Sequence, residues 1–411
     1  MNFSLAAKLG LALTIIVLLL QTTLPFWSEH LQTDVNVYFW RVQYLVEHGN
    51  FTKLSGNEYQ PGALFFFALL SPILLLKNAA ASFTLALFIV NILLIGALAL
   101  LYFRFGDGRN ILLFSLILLL TGPIVLYRFE LFVMVLVVFS LYLWQKKHAL
   151  FWSALFLGLA TMVKVFPIVL LPYYCLIAYK NKNLPMLLSI LSGFAIGFGG
   201  FLLLFMLVFQ APLSIFSSSL VFLRSPVHTE SLWGVLLTLI PKLTAGIYAK
   251  GAGSLGIFGI APEFQIGPLW FYNNFWILPM SLFYLWYSKS RQTHDLNLDL
   301  RIVIGVILLF LTFAKILHHQ YTLWFMLLLP LLNIDQIFKN SFWVVNIFVI
   351  LVMSLLHQYI YPLNFYTFIG EFYTYGTREY LFWMIVARNV LLVWVCLRIV
   401  INVLYDQQKV N

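Results

Sequence analysis

The chain has 411 residues, of which 62% are hydrophobic and only 9% charged, and its mean hydropathy is +0.95. Soluble domains are about a quarter charged, so this composition excludes a soluble globular protein, and the polar stretches between apolar runs are too short to build a core of their own. The formal charge of +10 would point to nucleic acid in a soluble chain. Here no basic tail or strand-and-aromatic pattern supports nucleic-acid binding, and the excess of Lys and Arg reads as cytoplasmic charge that sets topology.

Apolar runs of about 17–25 residues recur along the length, each long enough for a ~30 Å hydrocarbon core. A span must satisfy its own backbone, so the fold class is all-α, a polytopic membrane protein forming a single integral membrane domain over 1–411. Lys8 opens a run that continues to about Leu24 with no small-residue cleavage site after it, the pattern of an uncleaved first span. Twelve spans are expected, at 8–25, 81–103, 111–127, 131–144, 149–163, 166–179, 186–208, 269–287, 301–317, 322–338, 341–360 and 381–404. Cys175 and Cys396 fall inside apolar runs and form neither a disulfide framework nor a metal pair.

The segment 61–76 is apolar but short, and it holds Pro61, Gly62 and Pro72. Were it a span, Lys146, Lys147, Lys180 and Lys182 would lie outside. As a segment lying along the interface, it leaves Lys8, Arg104, Arg109, Lys146, Lys147, Lys180, Lys182, Lys289, Arg291, Arg301, Lys339, Arg398 and Lys409 together on the inside, as the positive-inside rule prefers. Glu29, Asp34, Glu47, Glu58, Glu130, Glu230, Glu263, Glu371 and Glu379 then fall outside. So do three long loops, 26–80, 209–268 and 361–380, and loops of that length usually have a function.

Several polar groups gather on that outer side. Asp34 follows the first span in the segment DVNVYF, with Asn36, Tyr38 and Arg41 close by. Arg128-Phe129-Glu130 forms a minimal loop. Lys164 opens the run KVFP. His318-His319-Gln320-Tyr321 follow Lys315 at a span end, and Arg224 with Glu230-Ser231 stands in the large loop. Each also has a bland explanation. Lysines at span ends snorkel to headgroups, Arg128 and Glu130 can pair with each other, Asp34 or Glu230 can cap a helix, and the histidines can be interfacial.

Other patterns carry less. Gly251 to Gly256, GAGSLG, matches a dinucleotide fingerprint but follows no buried strand. Gly193 and Gly197 read as a close helix contact. Asn50-Phe51-Thr52 is a glycosylation sequon, meaningful only in a glycosylating host. Adjacent His318 and His319 lack helical metal spacing, so no metal site is expected, and a divalent cofactor is not favoured.

A carboxylate facing membrane-embedded Lys, Arg and His suits one task. The carboxylate takes a proton from a hydroxyl nucleophile, and the cations neutralise a phosphate leaving group. A leaving group carried on a lipid explains a site at the bilayer surface, and together these suggest glycosyl transfer from a polyprenyl-phosphate sugar.

The chain resembles the GT-C membrane glycosyltransferases, and among them family 87, the polyprenyl-phosphate-mannose-dependent α-mannosyltransferases. The likeness rests on DVNVYF followed by YQPGALFFF (Tyr59 to Phe67), RFELFVMVLVVFSLYL (Arg128 to Leu143), LGLATMVKVFPIVLLP (Leu157 to Pro172), Arg224 with Glu230-Ser231, and HHQYTLWFMLLLPLL (His318 to Leu332). These pieces stand in the family's order and cover most of the chain. The family also carries juxtamembrane segments in its first outer loop.

The resemblance implies an inverting single displacement that moves a hexose, mannose by family preference, to a hydroxyl of a glycan or glycolipid acceptor. Asp34 is then the base, with His319 either its partner or a phosphate ligand. Arg128, Lys164 and His318 hold the donor phosphate, and Glu130, Tyr38, Arg224, Glu230, Gln320 and Tyr321 contribute to substrate binding. The reaction is expected on the extracytoplasmic or lumenal face, in a prokaryotic cell membrane. Two positions depart from the pattern: Asn36 replaces the second acid of Asp-x-Asp, and Glu130 stands where Asp is common. Rival readings are a transporter or flippase for lipid-linked sugars, which calls for internal repeats that are not evident here, a polysaccharide polymerase or ligase, and a non-catalytic assembly subunit.

Overall fold

A computed structural model describes residues 5–51, 59–106, 108–218, 223–246, 249, 251–254, 257–289, 299–332, 340–364 and 379–409. Glu58, Arg291, Lys339, Glu371 and Thr52 of the sequon lie outside the described residues. So do most of the expected loop 361–380, the end of the expected span 322–338 and the side chain of Lys409. The folded chain divides into two compact units. The first is Met1–Ser219 with Gln292–Val303 and Leu327–Gln336; the second is Leu220–Arg291 with Ile304–Met326 and Ile337–Asn411.

The described residues are overwhelmingly helical. Among the described residues, five helices are long and apolar enough to cross a membrane: Leu5–Thr22, Ala79–Phe105, Leu184–Val208, Ser341–Tyr361 and Glu379–Tyr405. The other expected spans are met by shorter pieces. The run expected at 269–287 is two helices, Leu269–Asn274 and Ile277–Lys289. The run expected at 322–338 is a series of single turns, His319–Thr322, Leu323–Met326 and Leu329–Leu331. An apolar run alone does not reveal such breaks, because they depend on partners for the freed carbonyls.

In the first unit, helix α1 (Leu5–Thr22) buries only Ala7, Thr14 and Leu18 and leaves Leu5, Leu9, Leu13, Ile16 and Leu20 exposed. Such a stripe is unfavourable in water and suits a lipid-facing surface. Helix α2 (Pro25–His48) occupies much of what the sequence reads as a loop. Its Pro25 is tolerated because the first turn needs no donor there. Trp27, Leu31, Val35, Tyr38, Val42 and Leu45 are buried at intervals of three and four, so α2 packs one stripe inward while Trp40 and Val46 remain exposed. Helix α3 (Pro61–Ala68) is buried through most of its length and leads to a 3-10 turn at Ser71–Leu75. The segment 61–76 is therefore two short pieces, too short to span.

Next come α4 (Ala79–Phe105), α5 (Gly108–Thr121), the single turn α6 (Ile124–Tyr127), α7 (Glu130–Lys147), α8 (Leu150–Val163), α9 (Leu171–Lys180), α10 (Leu184–Ala195), α11 (Phe201–Val208) and α12 (Ser214–Ser218). The pair α8 and α10 pack closely, as the small residues predict. A Cβ on Gly193 or Gly197 would strike the carbonyl oxygens of Phe151 or Leu155. Buried hydroxyls join α7, α8 and α9: Ser140 and Ser153 each donate to the other's carbonyl, at 2.7 and 2.8 Å, and the Tyr174 hydroxyl lies 3.0 Å from Ser140 Oγ. Tyr102 donates to Leu327 O and Asn110 to Pro330 O, which satisfies carbonyls freed by the broken backbone there.

In the second unit, α13 (Leu232–Ala245) is an apolar helix inside the expected outer loop 209–268. Ser231 caps it by accepting from Gly234 N at 3.0 Å. Strands β1 (Gly251–Ser254) and β2 (Ile257–Ile260) form an antiparallel hairpin, so the described part of the GAGSLG segment is strand and not a phosphate loop. Ile260 N donates to Val227 O at 2.8 Å and ties the hairpin to the segment before α13. Val227, Leu237, Ala249, Ile260 and Tyr272 form a small core there. The helices Ser341–Gln358 and Glu379–Lys409 pack against each other.

Candidate functional site

Three separate stretches of the first unit bring their charges together. Asp34 lies in the middle of α2, not in a loop as its sequence position suggests. It sits one turn from Tyr38, so both side chains share a helix face. Arg128 is the extended residue that follows the single turn α6. One terminal nitrogen of its guanidinium is ion-paired with Asp34, and the other donates to the Tyr38 hydroxyl at 3.4 Å. One planar fork thus engages two residues a turn apart, which a lysine could not reproduce.

Glu130 and Lys164 form the second pair. Glu130 is the first residue of α7 and is fully buried, at the helix end whose partial positive charge favours an anion. Lys164 terminates α8, where its backbone N–H bonds Ala160 O at 3.0 Å. Its ammonium is ion-paired with Glu130 and lies 4.9 Å from the centre of the Phe129 ring. Lys164 thus turns inward instead of snorkelling outward, and Arg128 and Glu130 do not pair with each other. Gly62 lets α3 approach this turn, since a Cβ there would lie 2.7 Å from the Met162 carbonyl oxygen.

Aromatic rings enclose the pairs. Tyr38 stacks on Phe67 with centroids 4.5 Å apart and meets Tyr59 and Phe129 edge-on at 5.5 and 5.7 Å. Burial holds the Tyr38 phenol well above its usual range against the pull of Arg128, so it stays neutral and acts as an acceptor for Arg128. Burial pushes the Lys164 ammonium down; Glu130 opposes this, while Arg128 adds to the push and Asp34 resists it. The four charges therefore sense one another across the two pairs. Their formal sum is zero, which lets them persist together in an apolar setting. Asp34 is the most open of the four, its side chain 28% exposed. Asn36 is engaged elsewhere, accepting from Gln32 at 3.1 Å.

The remaining residues singled out by the sequence belong to the second unit. Glu230 is buried; the cap of α13 is its neighbour Ser231, and the Glu230 carboxylate instead accepts from Arg388 at 2.6 Å, a partner 158 residues away. Arg388 and Asn389 also donate to the Glu230 carbonyl. Burial raises the Glu230 carboxyl above its usual range, opposed by Arg388. Arg224 is exposed. His318 packs edge-on against Tyr321 at 5.2 Å and against His228 at 4.4 Å, while buried His319 stacks on Tyr361 at 3.5 Å. Gln320 is buried beside His319 in the same turn. His228, which sequence reasoning missed, is held to about 3 by burial and by Arg388. Lys315 is buried and donates to Ser225 O at 2.7 Å, so it too does not snorkel.

Asn91 and Arg388 also escaped the sequence reading. Asn91 stands in an otherwise apolar run and Arg388 sits beside Asn389 in another, and the rarity of such polar groups is the signal that could have found them. Among the described residues, no group of three or more His, Cys, Asp or Glu side chains could hold a metal ion.

The fold defines a predominantly helical protein with membrane-spanning character. Compared with known protein families, with curated proteins and with solved structures, the chain matches none.

Proposed function

We propose that this protein is an inverting glycosyltransferase that moves a hexose, mannose by the family resemblance, from a polyprenyl-phosphate donor to an acceptor hydroxyl on the non-cytoplasmic membrane face. The observation that carries the reading is the gathering of Asp34, Arg128, Glu130 and Lys164, from distant stretches of the first unit, into one partly buried, charge-balanced cluster. Asp34 is its most open carboxylate and the natural base for an acceptor hydroxyl. Arg128 and Lys164 supply the positive charge that a departing lipid phosphate needs. Before the donor arrives, Asp34 and Glu130 balance those cations. A phosphate then competes for Arg128, releasing Asp34 to act as base, while Glu130 keeps Lys164 oriented.

The bonds balance simply. The acceptor oxygen forms its bond to the anomeric carbon as the bond to the phosphate oxygen breaks, and the hydroxyl proton passes to Asp34. A β-linked donor gives an α-linked product. Residues of the first unit alone carry this reading; His318 and His319 belong to the second.

The test uses the purified full chain in lipid nanodiscs with a panel of polyprenyl-phosphate sugars, scoring release of the lipid phosphate. Wild type is expected to release phosphate in the presence of an acceptor, and Asp34→Asn to lose this while remaining folded. Transfer that persists in Asp34→Asn, or no transfer with any donor, would overturn the reading. Loss of lipid-sugar translocation in vesicles, with no transferase activity in wild type, would install the flippase reading instead.

A further inference from the structure

We propose that Asn91 is the positioning residue that sets Arg128 against Asp34; its catalytic consequence rests on the glycosyl-transfer reading above. Asn91 lies midway along α4, completely buried, in a run of otherwise apolar residues. Its side-chain amide carries two hydrogens, and both are committed to the Arg128 segment. Nδ2 donates to Leu126 O at 2.8 Å and to Arg128 O at 2.9 Å.

These two carbonyls need a side-chain donor for a reason local to the chain. A helix leaves its last carbonyls without intrahelical partners, and α6, at four residues, consists entirely of such an end. Leu126 belongs to that turn, and Arg128 follows it in extended conformation (φ −118°, ψ 159°), so neither carbonyl is drawn into a continuing helix. A buried carbonyl without a donor is costly, and Asn91 removes that cost for both at once. Its two bonds bracket Tyr127 and fix the backbone on either side of the residue just before Arg128. The direction in which the Arg128 side chain leaves the backbone is thereby set, and that direction brings its guanidinium to Asp34 and Tyr38. Asn91 acts through Arg128.

A residue that only satisfied carbonyls would contribute to stability independently of the Asp34–Arg128 pair. A residue that places Arg128 is coupled to that pair, and coupling is measurable without any enzymatic assay. The full chain in nanodiscs is unfolded thermally as wild type, Asn91→Leu, Asp34→Asn and the double variant. We expect Asp34→Asn to shift Tm clearly when Asn91 is present and by less than half as much in the Asn91→Leu background. Asn91→Ser keeps one shorter donor and should give an intermediate result; it carries the measurement if Asn91→Leu does not fold. Additive Tm shifts in both backgrounds would overturn the proposal.

The second arm measures transfer per folded molecule. Misplacing a catalytic group by about 1 Å costs on the order of 10²-fold, so Asn91→Leu should lower kcat by about that factor, with a partial loss in Asn91→Ser. Unchanged kcat in folded Asn91→Leu overturns the positioning role. A wild type that transfers no sugar sinks the glycosyl-transfer reading, and the Tm cycle still decides whether Asn91 places Arg128.

Discussion

Lys164→Met offers the sharpest test of how the buried charges are held. The variant leaves the Glu130 carboxylate, which has no exposed surface, without its ion-pair partner. Removing one member of a buried pair costs about 3–5 kcal/mol, because a charge stays behind in a medium that cannot solvate it. Glu130 begins α7, and the helix terminus returns about 0.3–1 kcal/mol to an anion, which limits the loss. The expected loss at pH 7 is therefore about 3 kcal/mol. Adding Glu130→Leu to Lys164→Met should restore most of the stability, since an apolar replacement of a whole buried pair is often neutral. Unfolding of the three proteins in nanodiscs at pH 7 reads all of this. A single variant as stable as wild type, or a double variant no better than the single, would refute the reasoning.

Further outcomes follow from other sites. Arg128→Lys keeps the charge but cannot reach Asp34 and Tyr38 with one planar fork, so transfer should fall about 10–10²-fold in the protein that folds, as kinetics per folded molecule would reveal. The Glu230 carboxyl is raised by burial, so the folded state binds its proton more tightly than the unfolded state. Its contribution to stability is present below the ordinary value of 4.5 and is lost as pH rises through the folded value; Glu230→Gln should flatten that part of the Tm–pH profile. Gly197→Ala places a Cβ against the Leu155 carbonyl and should cost about 1–3 kcal/mol, whereas Gly199→Ala meets nothing within 4 Å and should be nearly silent in the same unfolding assay.

Much of this was legible in the residues themselves. The helical membrane-type class follows from apolar run length and the scarcity of charge, and the close packing of α8 on α10 follows from Gly193 and Gly197. Asp34, Arg128 and Lys164 stand out because a charge beside apolar runs is expensive. Other features were hidden. Residues 26–80 read as a loop because α2 is amphipathic and polar on one face, yet Trp27 to Leu45 bury a regular stripe. The run at 322–338 reads as a span, but its backbone is broken, and Tyr102 and Asn110 satisfy the freed carbonyls by donating to Leu327 O and Pro330 O.

What the amino-acid order determined alone is which side chains are too costly to be incidental: hydropathy and charge are local properties that survive in any fold. Which of them meet was decided by the tertiary structure. Arg128 chose Asp34 over its neighbour Glu130, Glu130 took Lys164, and Glu230 took Arg388 far along the chain. The physical reason is range. Pairing energies depend on a few ångströms of separation and on the removal of water, and both are set by how the helices pack.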